Sequence, residues 1–327
     1  MQASCSKWLT AVSLLMMSGT TLAQGVVDSY PAKPVTIIVA QTPGGPNDQE
    51  ARLYLGRMQA NLGQPFLLDF KPGAGSVIGS QYVARSAPDG YTLLLVAGAF
   101  TMLPALSTQP SYDAVKDFAP LSLMSQKPAV VVVNPAFAPK TFGEYIAYAR
   151  NNPGKLNIGT AGPGSVSHLL GAWMHSATST TVTYIPYKGV APMLPDLFTG
   201  RVDSGIVTVL VAMPLVKAGK VRVLAITDDK RSRLLPDVPT IAESGLPGFS
   251  YSNWLGFVAP AATPAGIVNR LADSFAKAAK SPDVIAALEA DGSTLVGSTP
   301  AQFRQLIATE AVRWKKLVVD NGIQGEN

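Results

Sequence analysis

Val35-Thr36-Ile37-Ile38-Val39-Ala40-Gln41-Thr42-Pro43-Gly44-Gly45-Pro46-Asn47-Asp48 is the stretch whose reading decides the fold. Its first six residues form an apolar run rich in β-branched side chains, the pattern of a strand covered on both faces. Gly44 and Gly45 break that run, and a helical pattern follows over 48–62. A strand feeding a glycine-rich turn and then a helix is the opening of a parallel βαβ unit.

The same order of events recurs outward along the chain. Phe66-Leu67-Leu68-Asp69-Phe70 reads as a strand, ending at Pro72-Gly73-Ala74-Gly75 before a helix to about residue 85. Further strands are predicted at 91–96, 129–133, 156–160, 182–185, 204–209, 221–226 and 254–258. Helical patterns cover a stretch through Tyr145 to Arg150, then 167–177, 264–280 and 300–319. Strands alternating with helices predict an α/β fold with parallel sheets covered on both faces.

The first residues read as an address. Lys7 is the only charge before the apolar run Trp8-Leu9-Thr10-Ala11-Val12-Ser13-Leu14-Leu15-Met16-Met17, and Thr21-Leu22-Ala23 supplies small residues two apart. That predicts a secretory signal peptide over 1–23, cleaved after Ala23. The run is too short for a membrane span, which needs roughly 20 apolar residues, and no later segment is a candidate. Cys5 is the only cysteine and precedes the apolar run, so a lipidated form is not expected. The mature chain would hold no thiol for a disulfide, a metal or a nucleophile. Of 327 residues, 327 less 23 leaves 304, more than a single core of about 250–300 comfortably serves, so two lobes are expected.

With 47% hydrophobic and 14% charged residues, the chain is globular, not disordered. Its net charge of +5 is scattered, and no basic run is longer than Lys230-Arg231-Ser232-Arg233, so nucleic acid is not implied.

Chemistry is expected at the turns. In parallel sheets, ligands bind beyond the carboxyl ends of strands, where helix starts offer unpaired N–H groups and a positive dipole end. Pro43-Gly44-Gly45-Pro46-Asn47-Asp48 is one such turn. Gly159-Thr160-Ala161-Gly162-Pro163-Gly164-Ser165 is another, with hydroxyls at Thr160, Ser165 and Ser167. Opposed across a cleft, the two would hold a carboxylate by charge-assisted hydrogen bonds; the alternative is that they are tight connections only. Asp48 suits the N-cap of its helix. Lys188, in Tyr187-Lys188-Gly189, is either a counter-ion facing the cleft or an ordinary surface lysine.

Other constellations exclude themselves. Gly73-Ala74-Gly75-Ser76-Val77-Ile78-Gly79 resembles a dinucleotide fingerprint, but its third glycine comes one residue late and no acidic ribose partner ends the next strand. No cofactor is expected. His168 and His175 are the only histidines, seven apart and about 10 Å along a helix, too far to share a metal. Gly164-Ser165-Val166-Ser167-His168 lacks the last glycine of a nucleophile elbow, and His168 reads as a packing or capping residue. No catalytic residue is assigned.

Taken in order, nine motifs make the chain resemble the substrate-binding proteins of tripartite tricarboxylate transporters, the Bug or TctC family. They are Tyr30-Pro31-x-Lys33-Pro34, Pro43-Gly44-Gly45-x-x-Asp48, Leu62-Gly63-Gln64-Pro65, Pro72-Gly73-Ala74-Gly75 and Ala87-Pro88-Asp89-Gly90-Tyr91-Thr92-Leu93-Leu94. Ala161-Gly162-x-Gly164-Ser165-x-Ser167-His168-Leu169, Pro186-Tyr187-Lys188-Gly189, Asp196-Leu197-x-x-Gly200-x-Val202-Asp203 and Trp254-x-Gly256-x-x-Ala259-Pro260-x-x-Thr263-Pro264 complete the set.

The resemblance implies a two-lobed periplasmic-binding-protein-like (type II) fold, with lobe one at 24–125 plus about 251–327 and lobe two at about 126–250. It implies a non-enzymatic periplasmic receptor that holds a small organic carboxylate and delivers it to membrane permease subunits, working as a monomer. The grip is implied at Pro43, Gly44, Gly45, Asn47 and Asp48 on one lobe, partly through water, and at Thr160, Ala161, Gly162, Gly164 and Ser165 on the other. Gly98-Ala99-Phe100-Thr101 and the strand end at Val207-Thr208 are implied to line the cleft. Two departures bear on the ligand. Ala97-Gly98-Ala99-Phe100 stands where relatives are rich in hydroxyls, so of the aliphatic and aromatic acids an aromatic carboxylate is favoured, met by an apolar or aromatic contact from Phe100, and Asn47 replaces a frequent Thr or Ser. Rival readings are a sensory co-protein of a signalling receptor, and a hydrolase using Ser165 or Ser167 with His168.

Overall fold

The computed structural model describes residues 29–290 and 292–323; the leader expected over 1–23 lies outside them. The chain opens with β1 (Val35–Val39), α1 (Pro46–Leu62), β2 (Phe66–Phe70), a 3₁₀ turn at Ala74–Ser76, α2 (Val77–Ala84) and β3 (Thr92–Ala97). A short helix α3 (Ala99–Met102) runs into a second 3₁₀ turn, Leu103–Leu106, and then comes the long strand β4 (Phe118–Val133). Next are α4 (Phe142–Asn151), β5 (Asn157–Thr160), α5 (Val166–Ala177), β6 (Thr183–Pro186), α6 (Val190–Thr199), β7 (Ser204–Thr208), α7 (Val209–Lys217) and β8 (Arg222–Ile226). The chain ends with β9 (Ser252–Pro260), α8 (Ala265–Ala279), α9 (Pro282–Ala290), β10 (Thr294–Leu295) and α10 (Pro300–Asp320).

The strands run in the order β2-β1-β3-β9-β4-β7-β5-β6, with β8 and β10 also paired to β4. Two lobes share this path through β4. Its first part, Phe118 to Pro128, pairs antiparallel with β9, and its last five residues, Ala129 to Val133, pair antiparallel with β7. One strand therefore belongs to both sheets. This is the expected two-lobed α/β fold.

Each sheet carries helices on both faces, and alternation along the strands sorts the cores. In lobe one, Val35, Ile37, Val39, Leu93 and Leu95 pack with Tyr54 and Met58 of α1 and Leu271 and Phe275 of α8. The intervening residues Ile38, Leu94 and Val96 face Phe303 and Ile307 of α10. In lobe two, Val131, Ile158 and Ile206 pack with Leu169 and Leu170 of α5, while Val130, Val132 and Val207 face Met193 and Leu197 of α6. A period of two on strands buried on both sides produces this division.

Helix α10 joins the cores. It begins in a capping box, with Thr299 and Gln302 satisfying each other's backbone N–H groups. Phe303 and Ile307 lie in the lobe-one core, whereas Trp314 and Leu317, further along the same helix, lie in the lobe-two core. Truncating a fully buried tryptophan such as Trp314 costs about 3–5 kcal/mol.

The structure corrects the expected elements in three places. β4 begins eleven residues before the expected 129, because Pro120, Lys127 and Pro128 conceal the strand and two bulges accommodate its irregular part. α1 starts at Pro46, not at Asp48, since proline is well suited to the first helical position. The strand expected to end at 209 ends at Thr208, and the apolar residues that follow form α7. A short apolar helix and a buried strand share that composition.

Candidate ligand-binding crevice

The directions of the strands build the crevice. β3 runs antiparallel to β9, and β9 antiparallel to β4, so β1 and β3 point along β4 toward lobe two. β7 runs antiparallel to β4 and parallel to β5, so both point back toward lobe one. The carboxyl ends of the two sets of strands therefore face each other. Register sets their separation. Ala97, the last residue of β3, lies opposite Leu255, which lies opposite Ser125; Thr208, the last residue of β7, lies opposite Ala129. From Ser125 to Ala129 is about 13 Å of strand at roughly 3.3 Å per residue.

On the lobe-one side, Gly44 takes a positive φ of 82° that glycine tolerates without strain. Its N–H donates to Asp48 Oδ2 at 2.7 Å, and Arg52 Nε meets Asp48 Oδ1 at 2.7 Å. The expected N-cap role of Asp48 is corrected. Gly45 is the N-cap and Pro46 and Asn47 follow, so the buried Asp48 carboxylate reaches back from the third helical position to hold the turn. Pro43 and Gly44 are exposed, and Gly45 and Asn47 are half-buried.

Gly98 follows β3 and packs directly on the crossover strand β9. A Cβ there would overlap the Tyr251 hydroxyl and lie 2.8 Å from Asn253 Oδ1. The expectation for Phe100 is also corrected. Its ring is buried, stacked on Tyr112 at 5.3 Å and edge-on to Phe118 at 5.0 Å, within the core behind the crevice. It offers no aromatic face to a ligand. Its neighbour Thr101 places Oγ1 2.8 Å from Glu310 Oε2, to which Trp254 Nε1 also donates at 2.9 Å. Burial holds the Glu310 carboxyl above the usual range.

On the lobe-two side, several of the expected main-chain donors are already engaged. Ala161 N–H donates to Ser167 Oγ at 2.9 Å, and Gly164 N–H donates to His168 Nδ1 at 3.0 Å. Ser165 caps α5 by accepting the His168 N–H at 3.3 Å, and its Oγ lies 3.1 Å from Ser167 Oγ. These bonds shape the turn around Gly162, whose φ of 119° brings it against the Tyr187 carbonyl. Thr160 is buried at the end of β5 and Thr208 is half-buried at the end of β7. Lys188 is exposed in the turn after β6, where Tyr187 N–H donates to Thr160 O at 3.0 Å.

The two sides touch. A Cβ on Gly164 would come within 2.6 Å of Leu106 Cδ1, from the 3₁₀ turn that follows α3. The arrangement is poor for hydrolysis: His168 Nδ1 accepts from a backbone amide, and burial pushes its pKa down, so the imidazole is neutral with its proton on Nε2. Its ring lies edge-on to Tyr184 at 4.9 Å. His168 packs on Tyr184 and braces the turn from the third helical position, within the packing-or-capping reading of the sequence.

Sequence reasoning missed the floor of the crevice. Glu50 of α1 is buried and forms an ion pair with Lys127 Nζ on β4 at 3.0 Å. Ser125 Oγ and Tyr54 OH donate to its other oxygen, the latter at 3.2 Å. One signal existed: Lys127 is the single charge in the sixteen residues of β4. Asn253, opposite Lys127 on β9, carried none. Two surface grooves, of about 610 Å³ beside Ile78, Tyr82 and Thr92 and about 360 Å³ beside Phe142 and Val223, are lined by none of these crevice residues.

Comparison with known proteins agrees with the two-lobed fold. The family model described as tripartite tricarboxylate transporter family receptor, TctC, matches residues 51–323. Protein BugT of Bordetella pertussis is 35% identical over 319 residues, covering 97% of this chain and 98% of its own length. A solved structure of Rpa4515 from R. palustris with adipate is 33% identical with a TM-score of 0.75, covering 90% of this chain and 99% of that one. MatC from Rhodopseudomonas palustris, with bound malate, is 33% identical with a TM-score of 0.73, covering 88% and 100%.

Proposed function

The chain belongs to the tripartite tricarboxylate transporter receptor family, periplasmic solute-binding proteins and not enzymes, and from that premise we propose that it captures a small organic carboxylate between its lobes and delivers it to membrane permease subunits. The observation that carries the reading is the opposition of strand ends, with glycine turns at helix starts on both sides of one crevice. In this reading the anion meets the turn at Pro43, Gly44, Gly45, Asn47 and Asp48 on one lobe. Thr160, Ala161, Gly162, Gly164 and Ser165 line its site on the other, where the Ala161 and Gly164 amides shape the turn through Ser167 and His168, with Gly98, Thr208 and Lys188 at the rim. Phe100 contributes through its backbone alone.

Because Asp48 is neutralised by Arg52 and the Gly44 amide, it orients the first turn without repelling an anion. Relatives solved with adipate and malate support the carboxylate class. Residues 1–23 act as the leader, lobe one is 24–125 plus about 251–327, lobe two is about 126–250, and the receptor works as a monomer. A ligand that contacts both lobes favours their closed arrangement by its differential affinity for it, which is the state a permease would recognise.

Native mass spectrometry of freshly purified mature protein, followed by calorimetric titration of the acid it carries, tests the reading. One acid per chain, lost when Gly45 or Gly162 is replaced by Val, is expected. Binding unaffected by both replacements would remove the crevice from consideration.

A further inference from the structure

The floor between the two helix starts is polar, and its side chains are arranged by the crossover strands. Along β4, Ser125 and Lys127 both turn to Glu50 of α1, while Ala129 and Val131 enter the lobe-two core that contains Leu169 and Leu170 of α5. These four residues alternate along one strand and so share a face. Lys127 thus lies on that face between the start of α1 and the start of α5. Asn253 is its direct partner on β9, and opposite residues of antiparallel strands project to the same side.

Neither side chain is sealed in a core. Lys127 keeps 15% of its side chain exposed and Asn253 is half-buried. Asn253 Oδ1 lies 3.5 Å from the Tyr251 hydroxyl and close against Gly98, which directs its amide group beside the mouth of β3. Pairing with Glu50 fixes the Lys127 ammonium and cancels much of its field, so a bound group would be selected by placement more than by charge alone.

Resting on the reading of the crevice as a carboxylate site, we propose that Lys127 and Asn253 are specificity-determining residues that recognise a second hydrogen-bond-accepting group on the ligand. The turns hold the first carboxylate, and the floor takes a carboxylate or carbonyl at the other end of a short bifunctional acid. A monocarboxylate of equal length would bury these donors against methyl groups and bind less well.

Calorimetric titration with succinate, glutarate and adipate, each against the monocarboxylate of equal chain length, tests this in the wild-type protein, in Asn253→Leu and in the paired variant Glu50→Gln/Lys127→Met. The paired variant removes both charges together, so no buried carboxylate is left alone. The wild type is expected to prefer one diacid by about tenfold or more. Asn253→Leu and the paired variant should each reduce that preference by about fivefold or more, because affinity for the diacid falls further than affinity for the monoacid. Equal binding of diacids and monoacids by the wild type overturns the proposal but leaves the carboxylate site standing. So does a preference unchanged in both variants. Absence of binding to every acid removes both readings. Should Asn253→Leu fail to fold by circular dichroism, Asn253→Ser serves the same comparison.

Discussion

Glu50 of α1 and Lys127 of β4 are joined by a 3.0 Å ion pair that ties the helix behind the first glycine turn to the strand shared by both lobes. Glu50 is 3% exposed, and Ser125 and Tyr54 supply its remaining donors. Removing one partner of such a buried pair strands the other. Lys127→Met is expected to destabilise the protein by about 3–5 kcal/mol. Adding Glu50→Gln should recover most of that loss, because the uncompensated charge disappears. Urea unfolding of the two variants checks this; equal stability of Lys127→Met and wild type would mean that the pair has no energetic role.

His175 gives lobe two a dependence on pH. It is buried on α5, with Nδ1 2.6 Å from Thr180 Oγ1 and Nε2 3.3 Å from the Tyr145 hydroxyl. Burial pushes its pKa down to about 4 from 6.5. Between those values the unfolded chain binds the proton and the native one does not, so this residue's contribution falls as pH drops from about 6.5 toward 4. The contribution lost is of order 3 kcal/mol. Glu310, Asp203 and Asp228 are shifted upward by burial and act in the opposite sense. The comparison that isolates His175 is therefore Tm against pH for wild type and His175→Gln. The two curves should converge as pH falls through that window; a constant separation would contradict the assignment.

Gly98 is constrained by packing, its φ of −48° being open to any residue. A methyl group there meets Tyr251, which precedes β9, and Asn253 on that strand. Gly98→Ala should cost about 1–3 kcal/mol through overpacking, and Tyr251→Phe in the same chain should return part of it. Measured Tm values for the single and double variants decide the matter. No recovery in the double variant would place the strain elsewhere.

Much of this was legible in the sequence, and the rest for definite reasons was not. The βαβ rhythm appears in runs such as 35–40 and 129–133, where β-branched residues stop at a glycine turn or at Asn134-Pro135. Ser165, His168 and the turn glycines could be read because helix starts use local chemistry. Phe100 was misplaced because an aromatic at a turn looks the same whether it faces a ligand or folds back onto Tyr112 and Phe118. The floor left one trace in the sequence, the lone charge of Lys127 in β4, and its partner could not be read. Glu50 and Lys127 meet only through pairing of β4 with β9 and packing of α1 on that sheet, and the prolines of β4 hide the strand that brings them together.

Asp48 separates the shape of the first turn from its charge. Its carboxylate holds the Gly44 amide and Arg52, so Asp48→Ala frees one backbone donor, unties an arginine and loosens the turn in one change. Loss of a capping-type bond costs about 1 kcal/mol in stability. If that carboxylate served mainly as a negative charge near the ligand, its removal would strengthen anion binding. If it serves to hold the turn, removal weakens binding despite the gain in positive charge, and Asp48→Asn, which keeps an accepting oxygen, loses less. The second pattern is expected, with about a tenfold loss of carboxylate affinity for Asp48→Ala and a smaller one for Asp48→Asn. Titrations at two salt concentrations complete the test, since an effect of charge is screened by salt and an effect of loop order is not.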